Sequence, residues 1–202
     1  MAQSFGFAPF LLGGMDMNHL GTQIIETPRY ILRRFDLADA EAMYLNWASD
    51  PEVTKFLSWP THTSVEVSSA VLSDWVSHYE EENYYQWAIV PKDLGQPIGS
   101  IAAVHINDRV GKVEVGYCVG QAWWHQGVMT EALNAIITFF LEGVGVNRVE
   151  ACHDPRNPNS GKVMAKCGMT FEGVQRQAGV NNQGICDTSW YAILAIDKGE
   201  SL

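Results

Sequence analysis

From Thr22 onward the apolar residues recur with a period, and that period changes along the chain. QIIETPRYILRRF is rich in β-branched residues and reads as extended backbone with a break at Pro28. Asp36 then stands where a helix N-cap belongs, with Asp39 in the favourable first turn. Leu37, Ala40, Met43, Tyr44 and Trp47 recur at helical spacing and are expected to face a core, and Asp50-Pro51 closes the helix. After the loop FLSWPTHTS, Thr63 and Glu66 have the spacing of a capping box. They open a second helix, expected to reach about Glu82, with Val67, Val71, Trp75 and Tyr79 as its inward stripe.

Beyond Asn83 the period drops to two. YYQWAIV, IGSIAAVHI and VEVGYCVG are three strands joined by the short turns KDLGQP and NDRVGK, which predicts an antiparallel meander. In the third strand Val113, Val115, Tyr117 and Val119 share one face, and Glu114, Gly116 and Cys118 the other. The helix TEALNAIITFFLEG follows, with Ala132, Leu133, Ile136, Ile137, Phe140 and Leu141 as a wide apolar stripe that stops at Gly143. NRVEACHD is a strand, NSGKVMAKCG a short helix ending at Gly168, and MTFEGV and CDTSWYAILAI two more strands. The order β-α-α-β-β-β-α-β-α-β-β predicts one mixed α/β domain over residues 22–202. The segment before it, MAQSFGFAPFLLGGMD, is apolar and glycine-rich without a period. Residues 1–21 are therefore expected to be an extension outside the fold.

Composition narrows the function. At 202 residues, 47% hydrophobic and 18% charged, the chain can build one substantial core. A net charge of −10 argues against a nucleic-acid binder, whose affinity rests on Lys and Arg. A phosphorylated ligand would need local donors, chiefly backbone N–H groups. Cys118, Cys152, Cys167 and Cys186 form no C-x-x-C pair, so free thiols in a cytoplasmic protein are expected. The scattered histidines show no metal-ligand spacing, and no apolar run is long enough for a bilayer. Cys118 reads as a small buried strand thiol, and His153-Asp154 as a strand end.

One stretch carries more chemistry. In QAWWHQGVMTEA two tryptophans precede a glycine at the mouth of the long helix. Helix N-termini offer unpaired N–H groups and partial positive charge, and glycine lets a ligand approach the backbone. An ordinary loop-to-helix glycine has the same local sequence. Neither a P-loop lysine nor a G-x-G-x-x-G pattern is present.

The segments in order are a strand ending in EVGYCV, W-x-x-G-x-M-T-E-A at a helix start, NRVEA, and N-x-x-S-x-x-V-x-x-K-x-G-M-x-x-E-G. Together with ETPRYILRRF this pattern, spanning about Thr22 to Ile196, resembles the GNAT acyl-CoA N-acyltransferases, most closely the RimJ/RimL-type branch. The resemblance implies a central mixed, mostly antiparallel sheet with a splayed strand pair and helices on both faces. It implies acetyl-CoA as co-substrate, no metal, and direct attack by a primary amine within a ternary complex. The acceptor would be a protein or peptide N-terminus, such as that of a ribosomal protein, or a small amine. A homodimer is left open, with neither nucleic acid nor membrane as partner.

Carried onto this sequence, the pyrophosphate donors are the N–H groups of His125 or Gln126, Gly127, Val128, Met129 and Thr130, with Trp124 packed beneath the loop. Tyr117, Cys118 and Val119 would pair with the pantetheine arm, and Lys162 and Lys166 would meet the adenosine 3′-phosphate. Glu114 is the candidate base and Ser160 the candidate acid, with Asn157 positioning cofactor or helix. Glu114 also reads as a surface glutamate, Ser160 and Asn157 as caps of the short helix, and the lysines as exposed helix residues. Trp59 and Tyr84 are candidate walls of the acceptor pocket. Two other readings share this site: an acyl-CoA-binding module without turnover, and an antibiotic or polyamine acetyltransferase.

Overall fold

The computed structural model describes residues 17–199. Strands β1 (Ile25–Glu26) and β2 (Tyr30–Arg33) form a hairpin about the Pro28 break, so the first extended segment is two strands. Asp36 caps the next turn in a reciprocal capping box with Asp39. Helix α1 (Ala40–Met43) continues into a π-helical turn over Tyr44–Ala48. Ala40, Met43 and Trp47 are buried as the spacing requires, while Leu37 is 52% exposed. Asp50 ends this segment and caps a further turn, α2 (Pro51–Thr54), by accepting from the Glu52 N–H.

Helix α3 (Val65–Ser77) begins one residue later than the Thr63 box implied, with Ser64 at its N-cap. Its inward face turns accordingly: Ser68, Leu72 and Tyr79 are buried and Val67 is exposed. Ser68 is tolerated inside because its hydroxyl bonds the buried His62 ring at 2.8 Å.

β3 (Gln86–Pro91), β4 (Gly99–Asn107) and β5 (Lys112–Val119) make the expected antiparallel meander. Helix α4 (Val128–Thr138) continues as a π-helical turn, Phe139–Val144, and ends at left-handed Gly145 rather than Gly143. Its six stripe residues are all buried. β6 (Arg148–His153), α5 (Pro158–Lys166), β7 (Thr170–Asn181), β8 (Gly184–Leu194) and α6 (Ala195–Gly199) complete the described chain. β7 and β8 are longer than expected and meet at Asn182-Gln183.

Among the described residues the strands form one eight-stranded sheet in the order β1-β2-β3-β4-β5-β6-β8-β7, in which only β5–β6 is parallel. One face carries a core of Trp87, Ile101, Val113, Val149 and the buried stripe of α4. The other carries Phe35, Met43, Trp47, Leu72, Tyr79 and Cys118 beneath α1 and α3. Helices therefore cover both faces, as the resemblance implied.

Residues 17–21 lie against this domain: the Asn18 N–H donates to Val144 O, Leu20 N–H to the Tyr85 hydroxyl, and Gly21 N–H to Glu82 O. The rest of the expected extension, residues 1–16, lies outside the described residues. Among the described residues no helix is long and apolar enough to cross a membrane.

A buried carboxylate with an exposed arginine partner ties the far end of the sheet together. The Asp154 side chain is 1% exposed and accepts from the Arg156 backbone and guanidinium and from Asn181 Nδ2. The guanidinium holds the Asp154 carboxyl far below the usual carboxylate range. A depressed folded-state pKa stabilises the fold above the unfolded value of about 3.9 and is lost as pH falls below it. Asp154→Asn is expected to lower the Tm by about 5 °C at pH 7. The gap from the parent protein should narrow in melts taken below about pH 4.

Candidate active site

β5 and β6 pair over only three positions, Lys112↔Arg148, Val113↔Val149 and Glu114↔Glu150. β5 then runs on to Val119 beside β4, and β6 to His153 beside β8, so the two strands part in a V. The parting coincides with a bulge in β4 between Ala103 and His105, opposite Val115 and Glu114. Bulges add local twist, which turns β5 away from β6.

The hydrogen-bond alternation of an antiparallel pair decides which groups face the V. Gly120 N–H donates to Ile98 O, so Cys118 and Gly116 also turn their backbone groups to β4. Tyr117 and Val119 turn theirs into the V. Among the three strand residues singled out from sequence, Cys118 thus contributes surface to the cleft rather than backbone donors. The Val119 carbonyl is already taken, accepting from the Trp124 indole N–H at 2.9 Å.

That bond helps to shape the loop between β5 and α4. Trp124 is half-buried and packs against both cores, and Trp123 packs against the α4 side. A Cβ at Gly120 would overlap the Asn46 carbonyl and press on the Trp123 ring, so only glycine fits the corner. His125 (φ 61°) and Gly127 (φ 78°) are both left-handed, and Gly127 is the N-cap of α4 without a side-chain capping bond. The first i→i−4 bond of the helix is Glu131 N–H to Gly127 O. The N–H groups of Val128, Met129 and Thr130 therefore have no partner within the helix.

A cleft of about 410 Å³ joins these parts. Tyr117, Cys118, Val119, His125, Gly127, Val128, Met129 and Thr130 line it from the V and the loop. Asn157, Ser160, Lys162 and Lys166 line it from α5. Four of the residues singled out from sequence stand outside it, Glu114 at the apex of the V and three others elsewhere. Gln126 turns away, its carbonyl held by Arg29 Nη1 at 3.0 Å and its amide by Ala122 O. Trp59 and Tyr84 also lie outside the cleft: Trp59 tilts against His62, and Tyr84 stacks on His78. Phe56, Leu57 and Arg156, which no local motif marked, supply cleft wall near the loop after α2.

The polar side chains are disposed around the V. Glu114 sits at its apex as the last residue paired to β6, with Oε1 accepting from the Cys152 thiol at 3.8 Å. Burial pushes its carboxyl up, opposed by His105 across the ladder. It does not line the cleft, whose nearest wall on its strand begins at Tyr117. On the other arm Ser160 Oγ lies 3.0 Å from the Tyr117 hydroxyl, which also donates to Ser160 O. Burial raises the Tyr117 phenol. Asn157 occupies the N-cap position of α5 without a side-chain capping bond. Lys162 and Lys166 are exposed on the cleft rim. Among the described residues no cluster of three or more His, Cys, Asp or Glu could hold a metal ion.

A family model described as an acetyltransferase (GNAT) domain matches residues 29–170. YoaA of Bacillus subtilis, named an uncharacterised N-acetyltransferase, is 28% identical over 171 residues, covering 85% of this chain and 96% of that protein. A ribosomal-protein-serine acetyltransferase of Escherichia coli is 24% identical over 136 residues, 67% of this chain and 75% of that protein. The solved structure of RimL, a ribosomal L7/L12 α-N-protein acetyltransferase in complex with coenzyme A, superposes with a TM-score of 0.76 at 20% identity. That alignment covers 85% of this chain and 98% of RimL.

Proposed function

The chain belongs to the GNAT acetyltransferase family, and from that membership we propose that it transfers acetyl from acetyl-CoA to the α-amine of a peptide or protein N-terminus. The observation that carries the reading is the V, whose free strand edge leads into a left-handed glycine turn at the N-terminus of α4. Such a path suits a ligand that begins as an amide-bearing arm and ends in phosphates. It also suits a chain of net charge −10, because the donors are backbone groups.

Acetyl-CoA would supply the acyl group as a thioester. Tyr117 and Val119 would pair with the pantetheine amides as a neighbouring strand does, and the amides of Gly127 to Thr130 would take the diphosphate. Lys162 and Lys166 would meet the 3′-phosphate as point charges. The Val119 N–H, directed into the V, is placed to polarise the acyl carbonyl. Glu114 would accept the proton of the attacking amine through water. Ser160 Oγ, held by the Tyr117 hydroxyl, would present a proton to the departing thiolate.

An α-amino group has a pKa of about 7.7–8.0, so a useful fraction is neutral near pH 7 and a modest base suffices. The net negative charge favours a basic acceptor, and the name of the Escherichia coli relative supports a ribosomal protein. The test is thiol release from acetyl-CoA with basic peptides bearing a free N-terminus, against the same peptides already N-acetylated. Release is expected only with the free amine. Equal release with both, or none with any amine despite tight coenzyme A binding, would overturn the reading.

A further inference from the structure

We propose that Arg29 is a positioning residue that locks the Gln126–Gly127 peptide with its N–H turned toward the bound diphosphate. The inference rests on the reading that the loop before α4 takes that diphosphate. Arg29 lies in the turn between β1 and β2, about a hundred residues from the loop it touches. Its Nη1 donates to Gln126 O at 3.0 Å. A trans peptide is planar, with C=O and N–H pointing in opposite directions. Holding the carbonyl on the Arg29 side therefore points the Gly127 N–H the other way, to the cleft that Gly127 lines.

The lock is needed because glycine does not choose. Gly127 adopts either sign of φ at little cost. Flipping this peptide would carry its φ from 78° to negative values and put the Gln126 carbonyl where the N–H had been. A carbonyl there repels an anion instead of binding it. Only an outside donor on the carbonyl separates the two states.

Arg29 also answers a second charge. Glu131, in the first turn of α4, carries a carboxylate close to the proposed diphosphate. Oε1 accepts from Thr27 Oγ1 at 2.7 Å and from the Arg29 N–H at 2.9 Å, and Oε2 accepts from Arg29 Nε at 2.7 Å. Both oxygens are thus drawn back toward the β1–β2 turn and neutralised there. The Arg29 side chain is 50% exposed and meets the core only where its guanidinium lies over the Tyr30 ring, 5.1 Å from the centroid, so its removal opens no cavity.

The experiment compares two acyl donors, acetyl-CoA and S-acetylpantetheine, which share the thioester arm and differ in the 3′-phospho-ADP group, whose 3′-phosphate contacts at Lys162 and Lys166 the Arg29 variants leave unchanged. The parent protein is expected to prefer acetyl-CoA in kcat/KM. In Arg29→Ala the KM for acetyl-CoA should rise about tenfold with kcat little changed, while S-acetylpantetheine is used as before. The preference then shrinks by the same factor. Arg29→Lys restores a charge near Glu131 but lacks the fork that reaches Gln126 O at the same time. It should melt like the parent and still lose the preference. An unchanged preference in Arg29→Ala, an equal loss with both donors, or full recovery in Arg29→Lys would each overturn the lock. If the parent protein itself did not distinguish the two donors, the diphosphate reading beneath the proposal would fall first.

Discussion

Glu114→Gln is expected to lower kcat by ~10²-fold or more while leaving acetyl-CoA affinity within about twofold. The reason is placement. Glu114 is the last residue of β5 still paired to β6, at the apex of the V and off the wall of the cleft. Losing its charge should therefore spare coenzyme A binding and remove the acceptor for the amine proton. The pH profile separates the base from the amine it serves. Burial holds the Glu114 carboxyl above the ordinary value for glutamate of about 4.3, and the base must be ionised to act. Activity of the parent protein should accordingly fall on acidification through two limbs, one from the acceptor amine near pH 8 and one from Glu114 below it. The glutamine variant should retain only the amine's limb. Stability provides a third readout with the opposite sign. A carboxyl whose folded pKa is raised is ionised at a cost in the folded state, and the cost is relieved as pH falls through that pKa. Glu114→Gln should therefore melt no lower than the parent at pH 7. Parent-like turnover in the variant would remove Glu114 from the mechanism.

How much of this was legible in the sequence depended on how local the cause is. The meander needed only alternation and short turns, and Val113, Val115 and Val119 are buried on the face that alternation assigned them. The stripe of α4 needed only its own spacing. Of the stripe of α3, Val71, Trp75 and Tyr79 do pack against the core and Val67 alone is exposed: hydrophobicity favours Val67 over Ser68, and the partner that admits Ser68, the His62 ring, lies in the preceding loop. The full length of the β7–β8 hairpin leaves no period in the sequence, because most of β7 is exposed on both sides.

The site divides in the same way. The strand, the loop and the start of α5 could be placed together from motifs in chain order, and the cleft does gather most of those residues. Contacts made across the fold left no local trace: Arg29 with Glu131, Tyr117 with Ser160, and Asn182 Nδ2 with the carbonyls of Thr54 and Trp59. Trp59 and Tyr84 are aromatic and near a loop, but their rings are occupied by neighbours elsewhere.

Gly127→Val should weaken acetyl-CoA binding by about 100-fold while lowering the Tm by only a few degrees, about the cost of one strained residue. Two effects act together. A β-branched residue at φ 78° is strained and relaxes toward negative φ, which is the flip that removes the Gly127 N–H from the cleft. The new Cβ would not fill the cleft, since it would point to the other side, 3.4 Å from Arg29 Nη2. The branched side chain must then displace the guanidinium that holds the Gln126 carbonyl. Loss of one or two charge-assisted hydrogen bonds at ~1.5–3 kcal/mol each accounts for a change of this size. Calorimetry with acetyl-CoA, run beside thermal melts, reads both quantities on one preparation. Parent-like affinity in a variant that folds would place the phosphates away from the α4 N-terminus. Weak binding with an intact fold would leave the turn at Gly127 as the element that holds them.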